Sequence, residues 1–258
     1  IGRNSQFPSL HSSCRQPSKK GILVIRIVNN KVKYTLKMDG ERIEESDTIT
    51  LLGAVLSKDM SWSKHVKGLL SSLRSSTGLI SRLANYIPNR CLTPLIHGLM
   101  LSKVRYALPL FADIRLNDAD ASSSLMKDIQ IEINKGLRIV VGVRLSDRMS
   151  IAELLSQVGV PSVNQLAAEV TLTEIWKSLK QDTPVSTHFT WLDDYSTKIT
   201  RNMGKNLLLA PTPGGSNAGK FVRNAATLWN TATQEIRNTQ ERNEMKRLIR
   251  QFSRELPI

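Results

Sequence analysis

The sequence has little cysteine, few aromatic residues and no long uncharged run, and each shortage excludes a class of protein. Two Cys in 258 residues exclude a disulfide-bonded scaffold and argue against a cysteine-based metal site. The longest uncharged run, residues 154–168, contains a proline and is too short and too polar to span a bilayer. The remaining composition, 40% hydrophobic and 22% charged, is typical of a globular chain.

Acidic residues are missing from the first 38 positions, where eight basic residues occur. The whole chain carries 36 Lys and Arg against 22 Asp and Glu, which gives a net charge of +14. A local cationic excess attracts polyanions, because neutralising phosphates releases their condensed counterions. The charge therefore favours a nucleic-acid partner, although a solvated basic face without a partner has the same composition.

Hydrophobic spacing predicts short strands followed by helices, which is an α+β fold. An apolar run at 21–28 and an alternating segment at 31–38 predict a hairpin, and 48–56 predicts a third strand that contains Gly53. From Ser63 onward apolar residues recur at helical spacing. Further helices are predicted at about 93–111, 119–141, 150–158, 162–180, 218–231 and 239–256.

The same patterns divide the chain into four parts. We predict a small β-rich unit at 1–57 and a helical domain at 58–181. A segment rich in proline and glycine at 182–218 is predicted to be a linker, and basic helices at 219–258 close the chain.

One face of the helix predicted from Ser63 is basic. Lys64, Lys67, Arg74 and Arg82 lie along it, with short side chains between them. Such a face is either solvated or follows a phosphate backbone with the help of neighbouring hydroxyl groups. The acid-free segment in the same half of the chain favours phosphate binding.

Two motifs resemble metal or phosphate sites but favour a structural interpretation. Trp191-x-Asp193-Asp194 has the residues with which a polymerase palm holds two metal ions. No strand pattern precedes it, so aspartates at a turn or helix cap are the preferred interpretation. The glycine-rich segment 214–220 resembles a phosphate-binding loop, but Phe221 stands where a hydroxyl residue should bind Mg²⁺.

The histidines give no metal signal, because no pair of the four has the spacing of metal ligands. His97 lies in a helix that is apolar on most sides, and we predict that it is buried. Trp62, Trp176 and Trp229 are predicted to pack in the core.

Four segments, in order, resemble one family. Residues 49–56 and 59–66, ITLLGAVL and DMSWSKHV, resemble the "KYLGV.LD..LSW..H" segment of reverse transcriptases from non-LTR (LINE, jockey-like) retrotransposons. Residues 102–109 resemble that family's "S.LRYG.P.W" helix. Residues 221–237 resemble its terminal "R..A..LWN.LP..IR" segment. Between the last two, positions where the family has Gln, Arg and Gly are occupied here by Gln130, Arg138 and Gly142.

The chain departs from the family pattern at two places. Thr50-Leu51 replaces a Lys-Tyr pair before the Leu-Gly, which removes a charge and an aromatic group. Ala232-Thr233 replaces a Leu-Pro pair after the Leu-Trp-Asn.

The resemblance implies the late palm, the thumb and the C-terminal helical extension of an RNA-directed DNA polymerase. Leu52 and Gly53 would then position the primer end, and Lys19 or Lys20 falls near a lysine of the late palm. The residues expected to contact nucleic acid are Lys19, Lys20, Lys31, Lys33, Lys37, Lys64, Lys67, Arg74 and Arg82.

The family's catalytic aspartates would precede Ile1, and the chain starts without Met or a signal-peptide pattern, so we expect a fragment. We expect the chain alone to be inactive and to hold no cofactor, with Mg²⁺ bound by the complete enzyme and its upstream palm and fingers. The expected partner is an RNA/DNA primer–template duplex rather than a membrane, in a nuclear or cytoplasmic ribonucleoprotein. The alternative is a non-enzymatic helical interaction or scaffold protein derived from a decayed mobile element.

Overall fold

Short strands lead into a mainly helical body, so the predicted α+β fold is confirmed. The predicted strand at 21–28 and the first part of that at 31–38 lie outside the described residues. The structure, a computed structural model, describes residues 36–38, 41–43, 45–120, 122–144, 146–181, 183–195, 205–210 and 220–258.

Among the described residues, four strands form two antiparallel pairs. They are β1 (Leu36–Met38) with β2 (Glu41–Ile43), and β3 (Thr48–Leu51) with β4 (Ala54–Ser57). The single strand predicted at 48–56 is therefore wrong, because the chain reverses at Leu52 and Gly53. Their φ angles are +50° and +85°, and two successive positive values are what a tight hairpin turn requires. Gly53 serves this turn.

The helical body begins with α1 (Ser63–Leu83), whose apolar residues follow one stripe and are buried. It ends at Leu83, before Pro88, a residue that the interior of a helix does not tolerate. The following helices are α2 (Asn89–Ile96), α3 (Ser102–Arg105), α4 (Leu108–Phe111), α5 (Ser124–Val141), α6 (Ile151–Val158), α7 (Val163–Gln181), α8 (Leu192–Tyr195), α9 (Lys220–Thr231), α10 (Gln234–Asn238) and α11 (Arg242–Arg254).

The helix predicted at 93–111 is interrupted. A π-helical turn, His97–Leu101, joins α2 to α3, and the helix then breaks at Ala107, where φ is +57°. His97 is exposed, so its predicted burial is wrong. The buried side of this segment is formed by Leu92, Ile96 and Met100, and His97 lies away from it beside an exposed glycine.

Two apolar clusters form the core, and α7 belongs to both. Val163, Leu166 and Ala167 of α7 belong to the first cluster together with residues of α1, α2, α5 and α6, and α7 contacts α3, α4 and α5 directly. The next turns of the same helix, Ala168 to Trp176, pack with α9 and α11. The low hydrophobic asymmetry of α7 follows from this central position, because it is buried on several sides.

Reciprocal hydrogen bonds between side chains and backbone amides stabilise the N-terminal first turns of α6 and α7. Ser150 and Glu153 form the capping box that the Ser-x-x-Glu spacing at this helix start predicts. Gln165 accepts a bond from the Ser162 amide (3.0 Å) and donates through Nε2 to the Leu256 carbonyl (3.0 Å). The second bond ties the C-terminal end of the chain to the start of α7.

Residues inside the predicted linker contribute to the second cluster. Phe189 and Leu208 are buried there, and Trp191 pairs with Leu208 in an isolated antiparallel bridge. Asn230 of α9 holds the same backbone, because its side chain bonds both the amide and the carbonyl of Leu208 at 2.8 Å. The described parts of this segment therefore add to the core as well as connecting helices.

Candidate nucleic-acid interface

The β3–β4 hairpin is fixed to the first turn of α1 by a buried histidine. His65 Nδ1 accepts a bond from the Val55 amide at 3.4 Å. The rings of Trp62 and Phe111 lie 5.8 Å from the His65 ring, in edge-on contact. Burial lowers the pKa of His65 below its ordinary value, which favours the neutral imidazole that this acceptor role needs. The hairpin and α1 therefore form one unit.

The hairpin tip is exposed and conformationally strained. Leu52 is 86% exposed, and its positive φ is uncommon for a residue with a branched side chain. Strained residues persist only where their surroundings hold them, and they concentrate at ligand contacts. The exposed neighbour Leu51 extends the apolar surface of the tip.

Tyr106, directly after α3, holds this tip from the other side. Its hydroxyl donates to the Leu52 carbonyl, and its ring lies against Gly53, where an added Cβ would be 3.7 Å from the nearest ring atom. The Tyr106 side chain is itself half exposed. Sequence reasoning did not select Tyr106, although it lies in the "S.LRYG.P.W" segment, because 54 residues separate it from Leu52.

The outer face of α1 is basic at its ends and flat in its middle. Lys64, Lys67 and Arg82 are exposed. The face from Lys64 to Arg82 is about 27 Å long along the helix axis, at 1.5 Å per residue. An added Cβ at Gly68 or Gly78 would meet nothing within 4 Å, so these glycines lie open on the surface. Such a face allows a partner to approach the helix backbone closely.

The four basic residues predicted on α1 differ in their surroundings. Among the described residues, Lys67 and Arg82 have no carboxylate oxygen within 4 Å. Lys64 also lies close enough to Asp47 and Asp59 for its charge to help lower their pKa values, although hydrogen bonds from Lys58 and Ser61 are the larger causes.

Arg74, in contrast, is joined to α5. Its Nε lies 3.2 Å from Glu132 Oε1, and Lys135 Nζ lies 2.8 Å from the same oxygen. Burial acts to raise the pKa of Glu132, but the bonds and charges of Lys135 and Arg74 outweigh it and hold the pKa below its ordinary value. Glu132 is therefore a buried carboxylate that needs its partners, and Arg74 has less freedom to reach a phosphate than Lys67.

A lysine that sequence reasoning missed lies beside this face. Lys103 Nζ donates to the hydroxyls of Ser72 and Ser76 at 2.8 Å, which joins α3 to α1. The contact keeps Tyr106, at the end of α3, in place relative to α1.

The predicted N-terminal contacts are only partly within the structure. Lys37 lies in β1 and is exposed. Lys19, Lys20, Lys31 and Lys33 lie outside the described residues. The basic surface that the structure describes therefore rests on α1 rather than on the N-terminal segment.

Asp193 and Asp194 lie in the first turn of the short helix α8, where Asp194 is exposed, in line with the structural interpretation of this motif. Within the described ranges, no three His, Cys, Asp or Glu side chains converge as a metal site would require. The described residues therefore do not offer the set of carboxylates that the Mg²⁺ implied by the family resemblance would need. No helix of the described residues is long and apolar enough to cross a membrane.

The motif residues near the C-terminus have structural roles. Trp229 is 1% exposed and donates through Nε1 to the Asn206 carbonyl at 2.8 Å. Arg237 is buried, and its guanidinium donates to backbone carbonyls of Lys205, Trp229, Asn230 and Ala232. These two residues of α9 and α10 therefore serve packing rather than a surface.

Comparison of the chain with protein-family models, with curated proteins and with solved structures finds no match.

Proposed function

We propose that this chain grips a primer–template duplex as the C-terminal portion of an RNA-directed DNA polymerase from a non-LTR retrotransposon. The observation that carries the proposal is the joint placement of the strained hairpin tip and the basic face of α1, through His65 and Tyr106. Leu52 and Gly53 contact the primer end, and α1 follows the phosphate backbone.

A backbone angle supports the family resemblance on which the proposal depends. The pattern "S.LRYG.P.W" has glycine at the position of Ala107, and Ala107 has a φ of +57°. Glycine adopts such an angle without steric cost, whereas other residues do so rarely. The family's glycine therefore matches a requirement of this backbone.

The physical basis of the grip is neutralisation of phosphates without reading of bases. Exposed lysines and arginines on a helix supply charge, and the open glycines let the helix approach a duplex. If about five phosphates are contacted, the logarithm of the association constant should fall with the logarithm of salt concentration with a slope of about −4.

Duplex binding measured by fluorescence anisotropy at several salt concentrations tests the proposal. We expect binding that weakens steeply with salt, and no primer extension in the presence of Mg²⁺. Absent or salt-independent binding would contradict the grip. Incorporation of a nucleotide would contradict the proposal that this chain lacks polymerase activity.

One observation favours the scaffold alternative. An apolar groove of about 300 Å³ between α5, α6 and α7 is bordered by the exposed side chains of Ile131, Ile151 and Ile258. Exposed apolar grooves of this kind mark protein contacts as well as ligand sites. The scaffold function predicts that Ile131→Asp abolishes partner binding and leaves duplex affinity unchanged.

A further inference from the structure

A second group of basic side chains lies in a groove between α3, α7 and α11. The groove has a volume of about 340 Å³. Four basic and two acidic side chains line it, so its formal charge is positive. These are Arg105, Lys177, Lys246, Arg250, Glu169 and Glu174.

Two arginines from different helices share one carboxylate in this groove. Arg105 Nη2 lies 3.5 Å and Arg250 Nε lies 3.7 Å from the same oxygen, Glu169 Oε1. The Glu169 side chain is only 13% exposed, so it is a fixed anchor. Both distances exceed the 2.7–2.9 Å typical of charge-assisted hydrogen bonds, so the guanidinium N–H groups retain capacity for another oxygen anion.

The two lysines of the groove complete its charge. Lys177 pairs with Glu174 at 2.7 Å. Lys246 has no carboxylate oxygen within 4 Å in the ranges that the structure describes. Glu169 balances one of the two arginines, and Lys246 has no carboxylate partner among the described residues. The groove therefore carries an excess of two positive charges.

The outer face of α11 continues this surface. Lys246, Arg247, Arg250 and Arg254 follow one another on it, opposite the buried Met245 and Ile249. The acidic residues of the helix's first turn have other roles, because Glu241 caps the helix and Glu244 accepts a bond from Thr239. Within α11 itself, no acidic residue occurs between Lys246 and Arg254.

We propose that this groove binds the phosphodiester backbone of a nucleic-acid strand, with Arg105 and Arg250 as paired phosphate ligands and Lys246 beside them. A planar guanidinium group can donate two parallel hydrogen bonds to two oxygens of one phosphate. Arg105 directly precedes Tyr106, so the groove adjoins the helix that holds the hairpin tip. The inference rests on the proposed function, since it takes nucleic acid as the ligand.

The test measures the anisotropy of a fluorescein-labelled RNA/DNA duplex with a single-stranded extension, at several salt concentrations. Lys246→Gln/Arg250→Gln should weaken binding about tenfold and reduce the salt slope by about 1.4 to 1.8, since each lost phosphate contact removes 0.7 to 0.9. The matched control, Lys127→Gln/Arg148→Gln, removes two exposed charges elsewhere and should change affinity less than twofold.

A third variant separates this inference from the proposed function. Lys67→Gln/Arg82→Gln removes the same charge from α1. If the α1 variant loses affinity and the groove variant behaves like the control, the groove inference is wrong and the grip by α1 stands. If only the groove variant loses affinity, the groove inference stands and the role of α1 is wrong. Lys246→Arg/Arg250→Lys, which keeps the charge, should retain the wild-type slope, and loss of slope in it would contradict a phosphate contact.

Discussion

The hairpin tip and the C-terminal helices both contain residues of the family-like motifs, yet their surroundings are opposite. At the tip, Leu52 is exposed and strained, and basic side chains lie on the neighbouring face of α1. Around α9 and α10, Trp229 and Arg237 are buried and bonded to backbone carbonyls. The motif residues of one family-like sequence therefore divide between an exposed surface and the core that supports it.

The largest expected effect is a loss of stability when the buried Trp229 is replaced. Trp229→Ala should lower the free energy of unfolding by about 3–5 kcal/mol, because it leaves a cavity and removes the bond to Asn206. Leu52→Ala should change it by no more than about 0.5 kcal/mol, because the side chain is exposed. Urea denaturation measures both. A loss at Leu52 as large as at Trp229 would mean that the tip is a packing element.

On the basic face of α1, substitution of Lys67, which has no described carboxylate partner, should reduce duplex affinity more than substitution of Arg74, which is paired with Glu132. Lys67→Gln should weaken duplex binding about threefold to fivefold and reduce the salt slope by about 0.9. Arg74→Gln should change affinity less and stability more, because it leaves the buried Glu132 with Lys135 as its remaining described cation. Titrations of each variant with the same duplex measure this difference. Equal losses of affinity would show that the Glu132 pair does not restrain Arg74.

Loss of the Tyr106 hydroxyl should release the tip without unfolding the protein. Tyr106→Phe removes the bond to the Leu52 carbonyl, worth about 1 kcal/mol. Amide hydrogen exchange at residues 51–55 should then be several times faster, while exchange in α9 and α11 stays unchanged. Tyr86→Phe is the matched control, because Tyr86 is also exposed and its hydroxyl makes no hydrogen bond among the described residues. Unchanged exchange at residues 51–55 would contradict the role of the Tyr106 hydroxyl in holding the hairpin tip.

The attachment of the hairpin to α1 should weaken in mild acid. Because burial lowers the pKa of His65 in the folded state, the unfolded chain, with an ordinary value of 6.5, binds the proton more readily. His65 therefore contributes stability above that value and loses it as the pH falls below it. Hydrogen exchange at Val55 should accelerate from pH 7 to pH 5, beyond the intrinsic rate change. His65→Gln, which keeps an acceptor, should abolish this acceleration, and its persistence would assign the effect to another group.

Local patterns sufficed for the amphipathic helices, the capping box of α6 and the exposed basic face of α1, since these depend on residues a few positions apart. Apolar periodicity missed the hairpin at 52–53, although Gly53 is a turn residue, because apolar residues continue on both sides of it. It missed the break at 107 because Ala carries no turn signal. The contacts from Tyr106 to Leu52 and from Arg74 to Glu132 join residues more than fifty positions apart. Spacing along the sequence cannot place such pairs.

Photo-cross-linking tests most directly whether the tip and α1 touch a duplex. In a variant with Cys14 and Cys91 replaced by serine, single cysteines at Leu52, Lys67 and Lys127 would carry an azidophenacyl group. If the tip and α1 contact the duplex, we expect cross-links from position 52 to the primer end and from position 67 to the duplex backbone. We expect none above background from position 127. Equal labelling from all three positions, or labelling from position 127 alone, would contradict it.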